Sequence, residues 1–216
     1  MAITSSTDIC NLALDLLSVE NVENIEDPTN ATEEILNRWY AQSRKKLLRE
    51  HPWNFAVKRV ILSPDNIDPP FGYSTQFTVP SDFVRLCSIS SDLTTDVEYT
   101  LPTEAYQFEN NKILLNDYYG TAQAVRLIYV YDRKDVSQFD PMFIDLLAYE
   151  IALSIAYKLS ETNTNVDRIN NLKQERVRMA KSIDGQERPP QRIERSRALT
   201  ARRRAGRTHR TDRIIF

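Results

Sequence analysis

The run of eighteen residues from Met142 to Leu159 constrains this chain most. Its only charged or small polar residues are Asp145, Glu150, Ser154 and Lys158. The last three recur at i, i+4 and i+8, a single stripe down one side of a helix. A helix that is apolar around the rest of its circumference must be sheathed by other elements. The charges within it argue against a membrane span. Asp140-Pro141 supplies a start signal, a capping carboxylate followed by proline at the first helical position. The pattern therefore predicts a central core helix over 142–159, with Glu150, Ser154 and Lys158 as its one wet stripe.

Three further segments have helical periodicity. In residues 5–18, Thr7 or Asp8 is the expected cap, and Ile9, Leu12, Leu16 and Leu17 form an apolar face. A second helix is expected to start at Asp27-Pro28. Its apolar positions are Ala31, Ile35, Leu36, Trp39, Tyr40, Leu47 and Leu48. Glu33 and Glu34 lie near its start, and Arg44, Lys45, Lys46 and Arg49 near its end, an order that complements the helix dipole. Pro52 stops it by disfavouring helical geometry at His51. Residues 163–183 form a more polar helix with Val166, Ile169, Leu172, Met179 and Ile183 on one side. Gly185 and Pro189-Pro190 are expected to close the folded part.

Residues 56–132 differ in character. Short runs rich in Val, Ile, Thr, Tyr and Phe predict strands at 57–62, 74–79, 83–89, 96–101, 105–109, 112–116 and 123–131. Asn110-Asn111 suits a two-residue hairpin turn, because asparagine tolerates positive φ. In the last strand Val125, Leu127, Tyr129 and Tyr131 lie on one face and Ala124, Ile128 and Val130 on the other, broken by Arg126, so both faces are largely apolar. Such a strand is central or sandwiched. The expected fold class is α+β. A bundle of about four helices (residues 1–55 and 133–187) is interrupted by a small antiparallel β domain (56–132), and an extended basic arm follows (188–216).

The charge is unevenly distributed. The whole chain carries 28 Lys and Arg against 30 Asp and Glu, a net charge of -2. Residues 186–216 contain ten arginines and three acids, a local +7, which leaves -9 for residues 1–185. Arginine-rich segments bind polyanions or acidic protein surfaces through fixed, bidentate contacts. Arg192, Arg195, Arg202, Arg203, Arg204, Arg207, Arg210 and Arg213 are the candidate contacts, and the apolar end Ile214-Ile215-Phe216 is a candidate anchor. The arm lacks interleaved aromatics, so any contact with DNA is expected through phosphates, with little sequence preference and strong salt dependence.

Signatures of catalysis are sparse. Cys10 and Cys87 are expected as small buried side chains, and His51 as a helix C-terminal cap. Glu33/Glu34, Asp65/Asp68 and Asp92/Asp96 are carboxylate pairs, but nothing marks one above another for glycoside chemistry. No hydrolase, nucleotide-binding or zinc-ligand motif occurs. No catalytic residue, metal or cofactor is expected, and the chain is not expected to be an enzyme. No basic-then-apolar leader opens the sequence, so a reducing cytoplasm is the expected folding compartment.

One set of segments is specific enough to suggest a family. Residues 44–59 read R-K-K-L-L-R-E-H-P-W-N-F-A-V-K-R, followed by P-P-F-G-Y at 69–73 and F-T-V-P-S-D-F-V-R at 77–85. I-C-N-L-A-L-D-L-L and E-D-P-T-N-A stand upstream. Y-D-R-K-D-V-S-Q-F-D-P-M-F and A-K-S-I-D-G-Q-E stand downstream. In this order they resemble the head-to-tail adaptor family of short-tailed bacteriophages, the tail tubular protein A and portal-bound accessory factor type. The resemblance covers about residues 8–187, without 90–122 or the arm. His51, Pro52, Trp53, Asn54 and Phe55, with Phe71, Gly72 and Tyr73, are its most discriminating positions.

The resemblance implies a structural virion protein of the tail and portal vertex that is present in the host cytoplasm during assembly. Its implied partners are the portal protein, the tail nozzle protein, further copies of itself in a dodecameric ring, and packaged DNA passing through the channel. No membrane partner is implied. It also implies a helical bundle with an inserted β domain. Physically, Trp53 and Phe55 are expected to pin the end of the second helix to the β domain as core residues, together with Tyr73. Phe71-Gly72-Tyr73 is expected to form a turn. Two alternatives use the same residues differently: a virion protein whose arginine arm contacts DNA, and a tail-associated glycan hydrolase.

Overall fold

A computed structural model describes residues 3–90, 101, 105–116, 124–159 and 163–187. Among the described residues, four α-helices and two three-stranded antiparallel sheets give a mixed α+β fold. The helices are α1 (Ser6–Leu17), α2 (Ala31–Glu50), α3 (Pro141–Leu159) and α4 (Asn163–Gln186). The strands are β1 (Val57–Leu62), β2 (Thr75–Thr78), β3 (Phe83–Ser90), β4 (Tyr106–Glu109), β5 (Lys112–Leu115) and β6 (Val125–Tyr131). Strands therefore separate two pairs of helices along the chain.

Helix α3 is the hub. Phe143, Leu146, Leu147, Ile151, Ala152, Ile155 and Ala156 are each fully buried, and α1, α2 and α4 all pack on it. Asp140 accepts from the Met142 amide at 2.8 Å, so the helix starts where its signal predicts. The expected wet stripe is partly wrong. Ser154 is half-buried and Lys158 exposed, but Glu150 is only 3% exposed. It lies between α2 and α4, where lysines meet it.

The starts of α1 and α2 also differ from expectation. Ser5 caps α1 and Asp8 is its third residue, in a reciprocal capping box. Asn30 caps α2, three residues beyond the expected Asp27. Its Oδ1 accepts from the Glu33 amide at 2.9 Å, and Glu33 Oε2 reaches back to the amides of Thr29 and Asn30 at 2.6 and 3.3 Å. Two reciprocal bonds at Asn30 outweigh a single capping carboxylate before proline. On α1 the buried line is Ile9, Cys10, Ala13, Leu14 and Leu17, with Leu12 and Leu16 at its margins.

The two sheets face each other. One has the order β1-β6-β3 and the other β2-β5-β4. Phe77, Ile89, Ile113, Leu115, Val125, Leu127 and Tyr129 come from both and form one buried cluster. Val130, on the opposite face of β6, belongs to the helical core. Strand β6 thus lies in the middle of its sheet, between two cores, as its two apolar faces predict. Asn110 and Asn111 have φ of 45° and 58° and turn β4 into β5. Of the expected strand 96–101, residues 96–100 lie outside the described residues. Leu101 forms no strand, although its amide donates to the Ile89 carbonyl at 2.9 Å.

Helix α4 is rotated from the expected face. It buries Ile169, Ala180 and Asp184, whereas Met179 and Ile183 are 45% and 38% exposed. Two polar anchors on the buried line, Lys173 and Asp184, set the rotation. Gly185 does not end this helix, which runs on to Gln186. Because Phe143 is fully enclosed at the centre of the helical core, Phe143→Ala is expected to lower stability by about 3–5 kcal/mol. A shift of the urea unfolding midpoint to lower concentration, with unchanged slope, would measure it.

Candidate functional site

The segment His51–Phe55 was singled out by its sequence, and local forces fix its conformation. Pro52 forces the chain out of the helix, and His51 takes extended angles, φ -142° and ψ 141°. The last carbonyls of a helix need donors from elsewhere. Trp53 Nε1 donates to the Leu47 carbonyl at 3.0 Å. Arg85 Nη1, from β3, donates to the carbonyls of Arg49 and Glu50 at 3.2 and 3.3 Å. Three of the last four carbonyls of α2 are thereby satisfied.

Trp53 is 2% exposed and lies in the helical core. Its ring meets Phe143 edge-on with centroids 5.4 Å apart. Phe55 meets Phe143 at 5.0 Å and Phe139 at 5.7 Å. These aromatics therefore pin the chain to α3 and the segment before it, and not to the sheets as expected. Ionic contacts make the joint between α2 and the sheets. Arg44 grips Asp132, just beyond β6, with Nη2–Oδ1 at 2.9 Å and Nε–Oδ1 at 3.1 Å. Both side chains are almost buried, and Arg49 Nη1 donates to the Val84 carbonyl at 2.7 Å.

Asp184 completes the site from α4. It is 7% exposed. Its Oδ2 lies 2.8 Å from His51 Nε2, and its Oδ1 accepts from the Asn54 amide at 2.8 Å. Asn54 Nδ2 donates to the Asp184 carbonyl at 2.7 Å. This clasp ties the last turn of α4 to the exit of α2, three residues before the described chain ends at Glu187. It therefore fixes the last described residues before the arginine-rich segment of the sequence. Asp184 was not among the expected site residues, although it stands within the A-K-S-I-D-G-Q-E segment. A lone aspartate near a helix end reads as solvated, and its partners are 130 and 133 residues away in the chain.

The other half of the motif sits elsewhere. Phe71 is 86% exposed on the connection between β1 and β2, so it is not a core residue. Gly72 has φ of +82°, a turn conformation that suits glycine. Tyr73 is half-buried and donates its hydroxyl to Gln107 Oε1 on β4 at 2.7 Å, so it too lies outside both cores. The arm candidates Arg192, Arg195, Arg202, Arg203, Arg204, Arg207, Arg210, Arg213, Ile214, Ile215 and Phe216 lie outside the described residues.

A second polar cluster joins three helices. Glu150 of α3 is gripped by Lys46 of α2 and Lys173 of α4. Burial pushes its carboxyl up, but hydrogen bonds from Lys173 and Lys46 and their charges outweigh burial and leave it below the ordinary 4.5. Cys10 is fully buried, which pushes its thiol up to about 12, so no thiolate forms there at neutral pH. Cys87 is exposed on β3, contrary to expectation. Of the carboxylate pairs, Glu33 serves the α2 cap, Asp65 accepts from Lys112 at 2.7 Å, and Asp92/Asp96 lie outside the described residues. Among the described residues no group of three or more His, Cys, Asp or Glu could hold a metal ion, and no helix is long and apolar enough to cross a membrane. No protein-family model matches the chain, and no curated protein matches it.

Two measurements check these readings. Asp184→Ala strips His51 and Asn54 of their shared partner, at a cost of about 1–3 kcal/mol. Amide hydrogen exchange should rise selectively over residues 180–187 and stay slow within α3. For Glu150 the folded carboxyl lies below its unfolded value, so its stabilisation is complete above pH 4.5 and is lost as pH falls through the lower folded value. The acid-induced fall in stability should therefore be shallower in Glu150→Gln than in the parent protein, read as urea midpoints below pH 5.

Proposed function

We propose that the chain is a structural virion protein, a head-to-tail adaptor that joins identical copies in a ring beneath a portal protein. The ring extends the DNA channel and presents its far side to a tail nozzle protein. The ordered run of short motifs between residues 8 and 187 carries this reading, with H-P-W-N-F-A followed by P-P-F-G-Y at its centre. The α+β architecture is of the kind that such a resemblance implies.

The physical properties of the described residues suit the role. In a closed ring any error in subunit shape repeats at each interface. Arg44–Asp132, Arg49–Val84 and Arg85 with the end of α2 hold the helices and sheets at a fixed angle. The Asp184 clasp gives the arginine arm a rigid root. The arm, at +8, is the partner-binding element, and acidic portal surface and DNA phosphates share the charge it recognises. Ordering of the arm on its partner costs entropy, which restrains premature binding.

Deletion of residues 188–216 should abolish attachment to portal-bearing heads while the circular dichroism spectrum keeps its helical signal. Normal attachment of the truncated protein would remove the arm from the proposal. A purified protein that stays monomeric in native mass measurements, both alone and with portal protein, would remove the ring.

A further inference from the structure

The first cation in the sequence is Arg38; residues 1–37 hold eight acids and no Lys or Arg. Asp8 and Glu33 are spent on the two capping boxes. The other six, Asp15, Glu20, Glu23, Glu26, Asp27 and Glu34, are exposed, and none has a salt bridge among the described residues. Four of them crowd the α1–α2 connection, which hydrogen bonds hold in place. Asn11 exchanges two bonds with Val22 at 2.9 and 3.0 Å, and Asn37 Nδ2 donates to the Ile25 carbonyl. This is a built acidic face.

A cavity of about 460 Å³ opens beside that face, between the start of α1, the connection, α2 and Lys134–Val136. Ser6, Glu26, Asn37, Tyr40 and Asp135 line it, with Arg44 and Lys134. Arg44 is already neutralised by Asp132. Tyr40 is 7% exposed; the Arg44 guanidinium lies over its ring at 5.4 Å, but its buried hydroxyl has no partner within hydrogen-bond geometry among the described residues. Buried polar groups are seldom left so. A guanidinium offers five N–H donors, enough to serve both the Glu26 carboxylate and the Tyr40 oxygen.

We propose that this acidic face and the cavity beside Tyr40 are the docking surface for the chain's own arginine-rich segment 188–216, an intramolecular clamp that a partner must displace. Reach favours the chain's own arm. Asp184 and Glu187 hold the end of α4 against Asn54, and the cavity lies beside Tyr40 on α2, roughly 17 Å back along that helix at 1.5 Å per residue. An extended chain covers this in about five residues, and 29 follow Glu187. A tethered arm meets the face at an effective concentration near ~1 mM. The six exposed acids carry -6 and the segment 188–216 carries +8, opposite charges of similar size. The clamp goes beyond the adaptor reading, which stands or falls on attachment to heads and survives if the clamp fails.

The full-length protein tests it by limited trypsin digestion, since trypsin cuts after arginine. The variant Glu20→Gln/Glu23→Gln/Glu26→Gln/Asp27→Asn changes only exposed side chains. At about 0.01 M salt, where charges reach ~30 Å, the variant's arm should be clipped roughly tenfold faster than the parent's. At about 1 M salt the difference should vanish. Asp167→Asn/Glu175→Gln, on exposed positions of α4, should leave clipping at the parent rate. Protection of the parent arm should persist on dilution from about 100 µM to about 1 µM. Equal clipping of parent and variant at low salt would overturn the proposal. Equal acceleration by the α4 variant would show that net charge acts and not this face. Loss of protection on dilution would assign the face to the arm of a second copy.

Discussion

One carboxylate inside an otherwise apolar helix organises the helical half of this protein. Helix α3 is enclosed by α1, α2 and α4, so nearly all of its surface is core. Apolar packing is non-directional and leaves each neighbour free to slide or rotate. Glu150 removes that freedom. An uncompensated charge there would cost several kcal/mol, so Lys46 and Lys173 must both arrive, from opposite neighbours and at one height. The register of α2 and α4 against α3 follows from this requirement. Well-packed apolar residues would supply equal or better stability, but not that register.

The same logic runs outward from α3. With Lys173 bound to Glu150, Asp184 lies three turns further along the same face of α4 and meets the exit of α2. Lys46 fixes α2 from the other side, and Arg44, two residues earlier, carries Asp132 and with it the end of β6. Paired charges thus transmit position from the core helix to both the sheets and the root of the arm. The aromatic cluster of Trp53, Phe55, Phe139 and Phe143 fills the space these contacts define.

Features set by local chemistry were legible in the sequence. The Asp140-Pro141 start, the Pro52 stop, the Asn110-Asn111 turn and the doubly apolar β6 each depend on a few neighbouring residues, and each stands where it was expected. The capping boxes at Ser5–Asp8 and Asn30–Glu33 were equally local, but stronger-looking neighbours, Thr7 and the Asp27-Pro28 pair, obscured them. Features set by long-range pairing were not legible. Glu150 reads as the head of a wet stripe until Lys46 and Lys173 are known to converge on it, and Met179 reads as core until Asp184 turns α4 away from it. Phe71, grouped by its motif with Trp53, is exposed because no element of either core covers the connection on which it sits.

Half of the candidate site is therefore a matter of position and half a matter of charge. The clasp at Asp184 holds the last described turn of α4 beside the exit of α2, just before the arginine-rich segment in the sequence. The acids of the α1–α2 connection lie toward the other end of that helix, within the arm's reach. An arm of ten arginines cannot be indifferent to such a surface at moderate salt. Any acidic partner must compete with a face that is always present at high effective concentration. The affinity available to a partner is accordingly the difference between two electrostatic contacts, not the sum of one. That difference is small when the two surfaces carry similar charge, which makes arm release sensitive to several partner contacts acting together.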